Sequence, residues 1–196
     1  HLLRLTPLQT SFGCNMLALN GGRPEQLTLR TFLTNFIAFR EEVVARRTAF
    51  ELRKARERSH ILCGLAVTVS NVDEIVATIR ASSDASEARE KLMQRSWPAN
   101  EIREYIALID DPTHKINDDG PYNLSEAQVR AILELRLQRL TQIGVKEVTD
   151  ELEALSSKIK EYLEILASRS KIMAIISSEL NEVKDQCSTN RRTEII

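Results

Sequence analysis

From Val145 to Cys187 the chain places Val145, Val148, Leu152, Leu155, Ile159, Tyr162, Leu166, Arg169, Met173, Ile176, Leu180, Val183 and Cys187 alternately three and four residues apart, with Arg169 the one charged member. A stripe that holds a 3.5-residue period for this long cannot lie on a straight helix of 3.6 residues per turn, because it would drift off its seam within a few turns. The spacing predicts one continuous coiled-coil helix over 145–187, roughly 63 Å long at the helical rise. Such a helix needs a partner of equal length.

The partner lies earlier in the chain. Thr28 is a good N-cap residue, and the run behind it meets no proline or glycine until Gly64, with helical patterning to about Val69. Its apolar positions follow one phase early (Phe32, Phe36, Phe39, Val43, Phe50) and another later (Leu52, Ala55, Ser59, Leu62, Ala66, Val69). Only the later half is expected to pair cleanly, and the Phe-rich half is expected to pack on something else. An antiparallel fold-back sets residues whose numbers sum to about 214 opposite each other: Leu52 with Tyr162, Ala55 with Ile159, Ser59 with Leu155, Leu62 with Leu152, Ala66 with Val148. A single long helix laid on a globular core is the alternative.

Between the arms, short helices are punctuated by legible caps. One is expected over 71–80, and Asp84 with Glu87 makes a capping box for the next, which ends before Trp97. Pro98 opens another to about Asp110, a loop runs over 112–124, and Ser125 with Gln128 makes a second capping box. The helix behind that box, 126 to about 140, is apolar on every side (Ala127, Val129, Ala131, Ile132, Leu133, Leu135, Leu137, Leu140). A helix apolar all round is buried all round. A head this small is expected to offer one face to another molecule, and a second copy would give a two-fold dimer. Cover by the arm helices is the competing reading.

The expected class is therefore mainly α: a long antiparallel coiled-coil hairpin with a small globular helical head at its tip and a short β or loop segment at the N-terminus. The expected divisions are 1–27, 28–69 (ascending arm), 70–144 (head), 145–187 (returning arm) and 188–196 (start of a linker). Composition agrees, since Ala, Glu, Lys, Leu and Arg make up 88 of 196 residues, near the share that marks long helices. The head carries thirteen acidic and nine basic residues, which disfavours a phosphate-binding surface there. Arg46, Arg47, Arg53 and Lys54 lead a basic run on the first arm. A solvated face and a weak DNA-facing surface both fit it, and the interleaved Glu51 and Glu57 favour the former. Cys14, Cys63 and Cys187 have no disulfide or zinc spacing, and His1, His60 and His114 are scattered. A reducing, cytoplasmic setting fits, with no membrane-spanning or signal segment. The opening at His1 without methionine reads as a piece of a larger protein.

Four runs carry a family resemblance: Thr-Pro-Leu-Gln-Thr-Ser-Phe-Gly-Cys-Asn-Met-Leu-Ala-Leu over 6–19, Arg-Arg-Thr-Ala-Phe-Glu-Leu-Arg-Lys-Ala-Arg-Glu-Arg-Ser-His-Ile-Leu over 46–62, Leu-Ser-Glu-Ala-Gln-Val-Arg-Ala-Ile-Leu-Glu-Leu-Arg-Leu-Gln-Arg-Leu-Thr over 124–141, and Arg-Arg-Thr-Glu-Ile over 191–195. In this order they resemble the A subunit of bacterial DNA gyrase, more than its paralogue topoisomerase IV. The sequence departs from that family at Cys63, where glutamate is usual, and at Gln142-Ile143-Gly144.

The resemblance implies the lower part of the breakage-reunion domain: the end of the tower, the coiled-coil arms and the globular exit gate of an enzyme that supercoils DNA by ATP-dependent duplex passage. The gates of two protomers meet in that family, which implies a dimer interface through Tyr122, Leu124, Gln128, Ala131, Ile132, Leu135, Arg136, Leu137, Leu140 and Thr141. It implies no catalytic, cofactor or metal residue in this chain, since the nucleophilic tyrosine belongs to a winged-helix domain, and Mg and ATP are held by the gyrase B subunit. Implied partners are a second copy, the gyrase B subunit in an A2B2 complex and double-stranded DNA, with no membrane. A generic coiled-coil scaffold with a dimerising head satisfies the periodicity equally.

Overall fold

The computed structural model describes residues 2–98, 105–106, 122–134, 145–190 and 192. They are mainly helical, with four short strands: α1 (Leu2–Leu5), β1 (Leu17–Asn20), β2 (Arg23–Gln26), α2 (Leu29–Ser70), α3 (Val72–Arg80), α4 (Ala85–Gln94), β3 (Ser96–Trp97), β4 (Tyr122–Asn123), α5 (Glu126–Glu134), α6 (Val145–Ala167) and α7 (Arg169–Cys187). The chain divides into two compact units, His1–Ala45 with Ile172–Ile196, and Arg46–Lys171. The head therefore shares a unit with the nearer half of each arm.

In the first unit, β1 and β2 form an antiparallel hairpin pairing Leu17 with Gln26 and Asn20 with Arg23. Its two turn residues, Gly21 and Gly22, have φ of 58° and 83°, the left-handed pair that a two-residue hairpin turn needs and that glycine adopts without strain. Thr28 caps α2 as expected, its hydroxyl accepting from the Thr31 amide at 3.2 Å. The early phenylalanines do not face inward: Phe32, Phe36 and Phe39 are exposed, while Val44 is fully buried and Ile37 and Arg40 half-buried. On α7, Ile176 is buried and Ile172, Ile175 and Glu179 are half-buried, and Arg40 pairs with Glu179.

That phase corrects the expected seam. Met173, Leu180 and Val183 are exposed, and so are Arg169 and Cys187. The helix is also interrupted, because Ser168 stands between α6 and α7. The Ser168 amide turns to the carbonyl of Ile165 at 3.3 Å and the Lys171 amide to that of Ser168 at 3.1 Å. These tighter, three-residue bonds break the four-residue ladder and reset the phase of α7.

In the second unit α2 and α6 run antiparallel. Leu52 and Ala55 cluster with Ile159, Leu155, Tyr162 and Leu166, while Leu62 and Ala66 pack with Val148 and Leu152, close to the 214 register. Arg58 reaches across to Glu151, donating from Nε and Nη2 to its two carboxylate oxygens at 2.9 and 3.1 Å. Small Ala55, Ser59 and Ala66, all buried, leave room for larger residues opposite. The apolar tail of α2 ends at Asn71, whose side-chain amide returns to the Val67 carbonyl at 2.8 Å, and α3 leaves at a bend of 91°.

The head core gathers Ile75 from α3, Leu92 from α4, Trp97, Tyr122 and Leu124 from the strand pair and its exit, and Val129 and Ile132 from α5, around Leu62, Cys63 and Val67 of α2. The expected box on α4 forms with one variation: Asp84 accepts from the Glu87 amide at 2.8 Å, while the Glu87 carboxylate reaches the amide and hydroxyl of Ser83 rather than Asp84. Pairing of Ser96 with Asn123 and Trp97 with Tyr122 replaces the loop expected near 122–124. The helix expected after Pro98 falls outside the described residues except at Tyr105 and Ile106, which are helical. Among the described residues no single helix is long and apolar enough to cross a membrane.

Candidate functional site: the head and the arm surface

Helix α5 begins at the Ser125–Gln128 box, which closes in both directions. The Ser125 hydroxyl accepts from the Gln128 amide at 3.2 Å, and the Gln128 side-chain oxygen accepts from the Ser125 amide at 2.9 Å. The side-chain nitrogen of Gln128 donates to the His60 carbonyl at 2.7 Å and to the Tyr122 hydroxyl at 2.6 Å. His60 Nε2 meets the Ser125 hydroxyl at 2.7 Å. Gln128 is fully buried, so its bonds form where water does not compete. They tie the start of α5 to the last third of α2, at His60.

The tie depends on close backbone approach. A Cβ placed on Gly64 would lie 2.7 Å from both Cβ and Cγ of Gln128 and 3.0 Å from its Cδ. Only glycine lets α5 sit this deep against α2. Beside it, burial pushes the Cys63 thiol up to about 12, so it stays protonated, apolar and unreactive at neutral pH.

The expected interface residues divide into three groups. Tyr122, Leu124, Gln128 and Ile132 are buried within the protomer, where Gln128 bonds to Tyr122, and Leu124 and Ile132 lie in the head's own core. Ala131 is half-buried on the flank. Leu135, Arg136, Leu137, Leu140 and Thr141 lie outside the described residues. Over its described length α5 is not apolar all round either. Glu126, Ala127, Arg130 and Glu134 form an exposed stripe, and Glu126 pairs with Arg89 at 3.0 Å. The sequence pattern misled because Ala127 and Ala131 count as apolar without requiring burial.

On the first arm, Arg46, Arg47, Arg53 and Lys54 are all exposed on α2. Exposed Phe50 lies among them, with the Arg53 guanidinium 5.4 Å and the Lys54 ammonium 4.6 Å from its ring centre. Among the described residues, no group of three or more His, Cys, Asp or Glu side chains is placed to hold a metal ion. The missed functional residue is Gln128 in its bridging role, for which the capping box was the only signal in the sequence.

The chain matches the family described as the A subunit of DNA gyrase/topoisomerase IV over residues 1–181. It is 45% identical over 195 residues to the DNA gyrase A subunit of Granulibacter bethesdensis, covering all of this chain and 21% of that protein. It is 45% identical over 190 residues to its counterpart in Rickettsia bellii, covering 97% and 21%, and 46% identical over 200 residues to that of Haemophilus influenzae, covering 100% and 23%. The chain thus spans about one fifth of the length of these relatives. With the family match running through both arms and the head, the chain belongs to the family of DNA gyrase/topoisomerase IV A subunits.

Proposed function

We propose that this chain is the exit-gate and arm portion of a gyrase A subunit, whose heads meet about a two-fold axis and part to release a transported duplex. The observation that supports the reading is the antiparallel α2–α6 pair, with its seam near the 214 register, bearing a compact head that includes Leu124 to Glu134, the first part of one of the runs that resemble the family. The whole protein is then a type II topoisomerase acting in the cytoplasm. Its partners are the gyrase B subunit, which holds Mg and ATP, and double-stranded DNA. This chain alone neither cuts nor reseals DNA: Tyr122 is buried with its hydroxyl held by Gln128, and strand cleavage needs a hydroxyl in line with a phosphate.

With Tyr122, Leu124, Gln128 and Ile132 buried in the head, we assign the dimer contact to the rest of the expected interface: Ala131, Leu135, Arg136, Leu137, Leu140 and Thr141. Sedimentation of the chain at several concentrations is expected to show a dimer. Leu137→Asp is expected to give monomers with unchanged helical content. A parent that stays monomeric throughout, or a variant that dimerises like the parent, overturns the gate reading and leaves a monomeric arm.

A further inference from the structure

We infer that the exposed face of α2 around Phe50 docks the phosphate backbone of double-stranded DNA, with Phe50 as the positioning residue that holds Arg53 and Lys54 as a pair. Phe50 is 43% exposed on the outer face of a long helix, and its ring is not idle. Arg53 and Lys54 both lie over it, at 5.4 and 4.6 Å, close enough for attraction to the ring's electron-rich face. Two flexible cations that would otherwise sample many rotamers are thereby kept side by side.

Successive helical residues turn by about 100°, so Arg46, Arg47, Phe50, Arg53 and Lys54 fall within a sector of about 120°. The buried seam at Thr48, Leu52, Ala55 and Ser59 occupies the opposite side. From Arg46 to Lys54 the stripe extends about 12 Å, which is the axial span of about three to four phosphates on one strand of a duplex. Within the stripe, Arg46 to Lys54, there are four basic residues and one acidic, Glu51; Arg58 beyond it is held by Glu151. Glu57 falls in the same sector and pairs with Arg53 at 3.9 Å, with both side chains exposed, a weak contact that a phosphate can displace. A lipid surface fits less well, because the one aromatic on the stripe is covered by cations and cannot insert. The inference rests on the reading of the chain as part of a DNA-handling protein, but not on its dimerising, so its test is independent of the sedimentation result.

That test is the anisotropy of a fluorescent duplex of about 30 base pairs titrated with the 196-residue chain between about 50 and 200 mM salt. Expected is weak binding that falls steeply with salt. Arg53→Gln with Lys54→Gln is expected to reduce the logarithmic salt slope by about 1.8, two phosphates at about 0.9 each. Phe50→Leu, which removes no charge, is expected to weaken binding roughly threefold to tenfold at low salt while leaving the slope unchanged. Lys158→Gln with Lys160→Gln, an equal charge loss on exposed positions of α6, is expected to change neither. The inference is overturned if the α6 double variant lowers the slope as much as the α2 double variant, if Phe50→Leu binds like the parent, or if polyglutamate at matched charge binds as tightly as the duplex, which would make the partner an acidic protein.

Discussion

Helix propensity alone says that Gly64→Ala should stabilise this protein, because alanine in a helix interior is favoured over glycine by about 1 kcal/mol. The head geometry says the opposite. The new methyl would lie 2.7 Å from Cβ and Cγ of Gln128, inside van der Waals contact, so α5 must back away or Gln128 must leave its site. Overpacking of this kind costs about 1–3 kcal/mol. Displacing Gln128 also loosens its bonds to the His60 carbonyl, the Tyr122 hydroxyl and the Ser125 amide, each contributing about 1 kcal/mol net. Against the propensity gain, the expected balance is a loss of about 2–4 kcal/mol. Urea titration followed by circular dichroism measures it as a lower midpoint at unchanged slope. The double variant Gly64→Ala with Gln128→Gly transfers the empty position from one helix to the other. Its loss should be smaller than the sum of the two single losses by at least about 1 kcal/mol. A stabilised Gly64→Ala protein, or strict additivity in the double, refutes the close-approach argument.

Ile132→Asp places a charge in the closed core and is expected to melt the head, seen as loss of cooperative unfolding, in contrast to the folded monomer expected of Leu137→Asp; a folded, dimeric Ile132→Asp protein would contradict this packing. Thiol titration at about pH 8 should modify Cys14 and Cys187, which are exposed, within minutes, and reach Cys63 only when denaturant is added, because its thiol is held protonated to about 12. For Glu87, hydrogen bonding from Lys91, then from Ser83, lowers the carboxyl from 4.5 to about 2. A depressed carboxyl stabilises the fold above its ordinary value, and that contribution fades as pH falls from 4.5 towards about 2. A carboxyl-carbon NMR titration should show it, and Lys91→Met should move the midpoint upward; a midpoint that stays put in Lys91→Met would exclude Lys91 as the main cause.

Features set by a few neighbouring residues or by a long repeat could be read from the sequence. The two capping boxes, the start of α2 at Thr28 and the antiparallel register of Leu52 to Ala66 against Val148 to Tyr162 all belong to this kind. The seam beyond Ser168 could not be read, because Ile172, Met173, Ile175 and Ile176 offer two overlapping apolar phases. A local break of one residue chose between them. The Phe-rich start of α2 was expected to stay out of the clean pairing; there Ile37 and Val44 hold the inward phase, which the larger phenylalanines beside them obscured. The β3–β4 pair was invisible, since two residues a side leave no alternation to detect. Gln128 was legible as a cap and illegible as a bridge, because its second set of partners includes His60, 68 positions away in the chain.

The single tryptophan of the chain, Trp97, sits in the head core at 1% exposure, its indole donating to the Leu92 carbonyl at 3.2 Å and the Arg95 guanidinium lying 4.9 Å from the ring. Its emission is therefore that of a dry, hydrogen-bonded indole next to a fixed cation, and no second fluorophore of its kind dilutes the signal. The colour and intensity of that light report on the head alone, while far-ultraviolet ellipticity is dominated by the long helices of the arms. The molecule thus carries two intrinsic channels of observation, one optical reading for the head's interior and another for the arms, without any label attached.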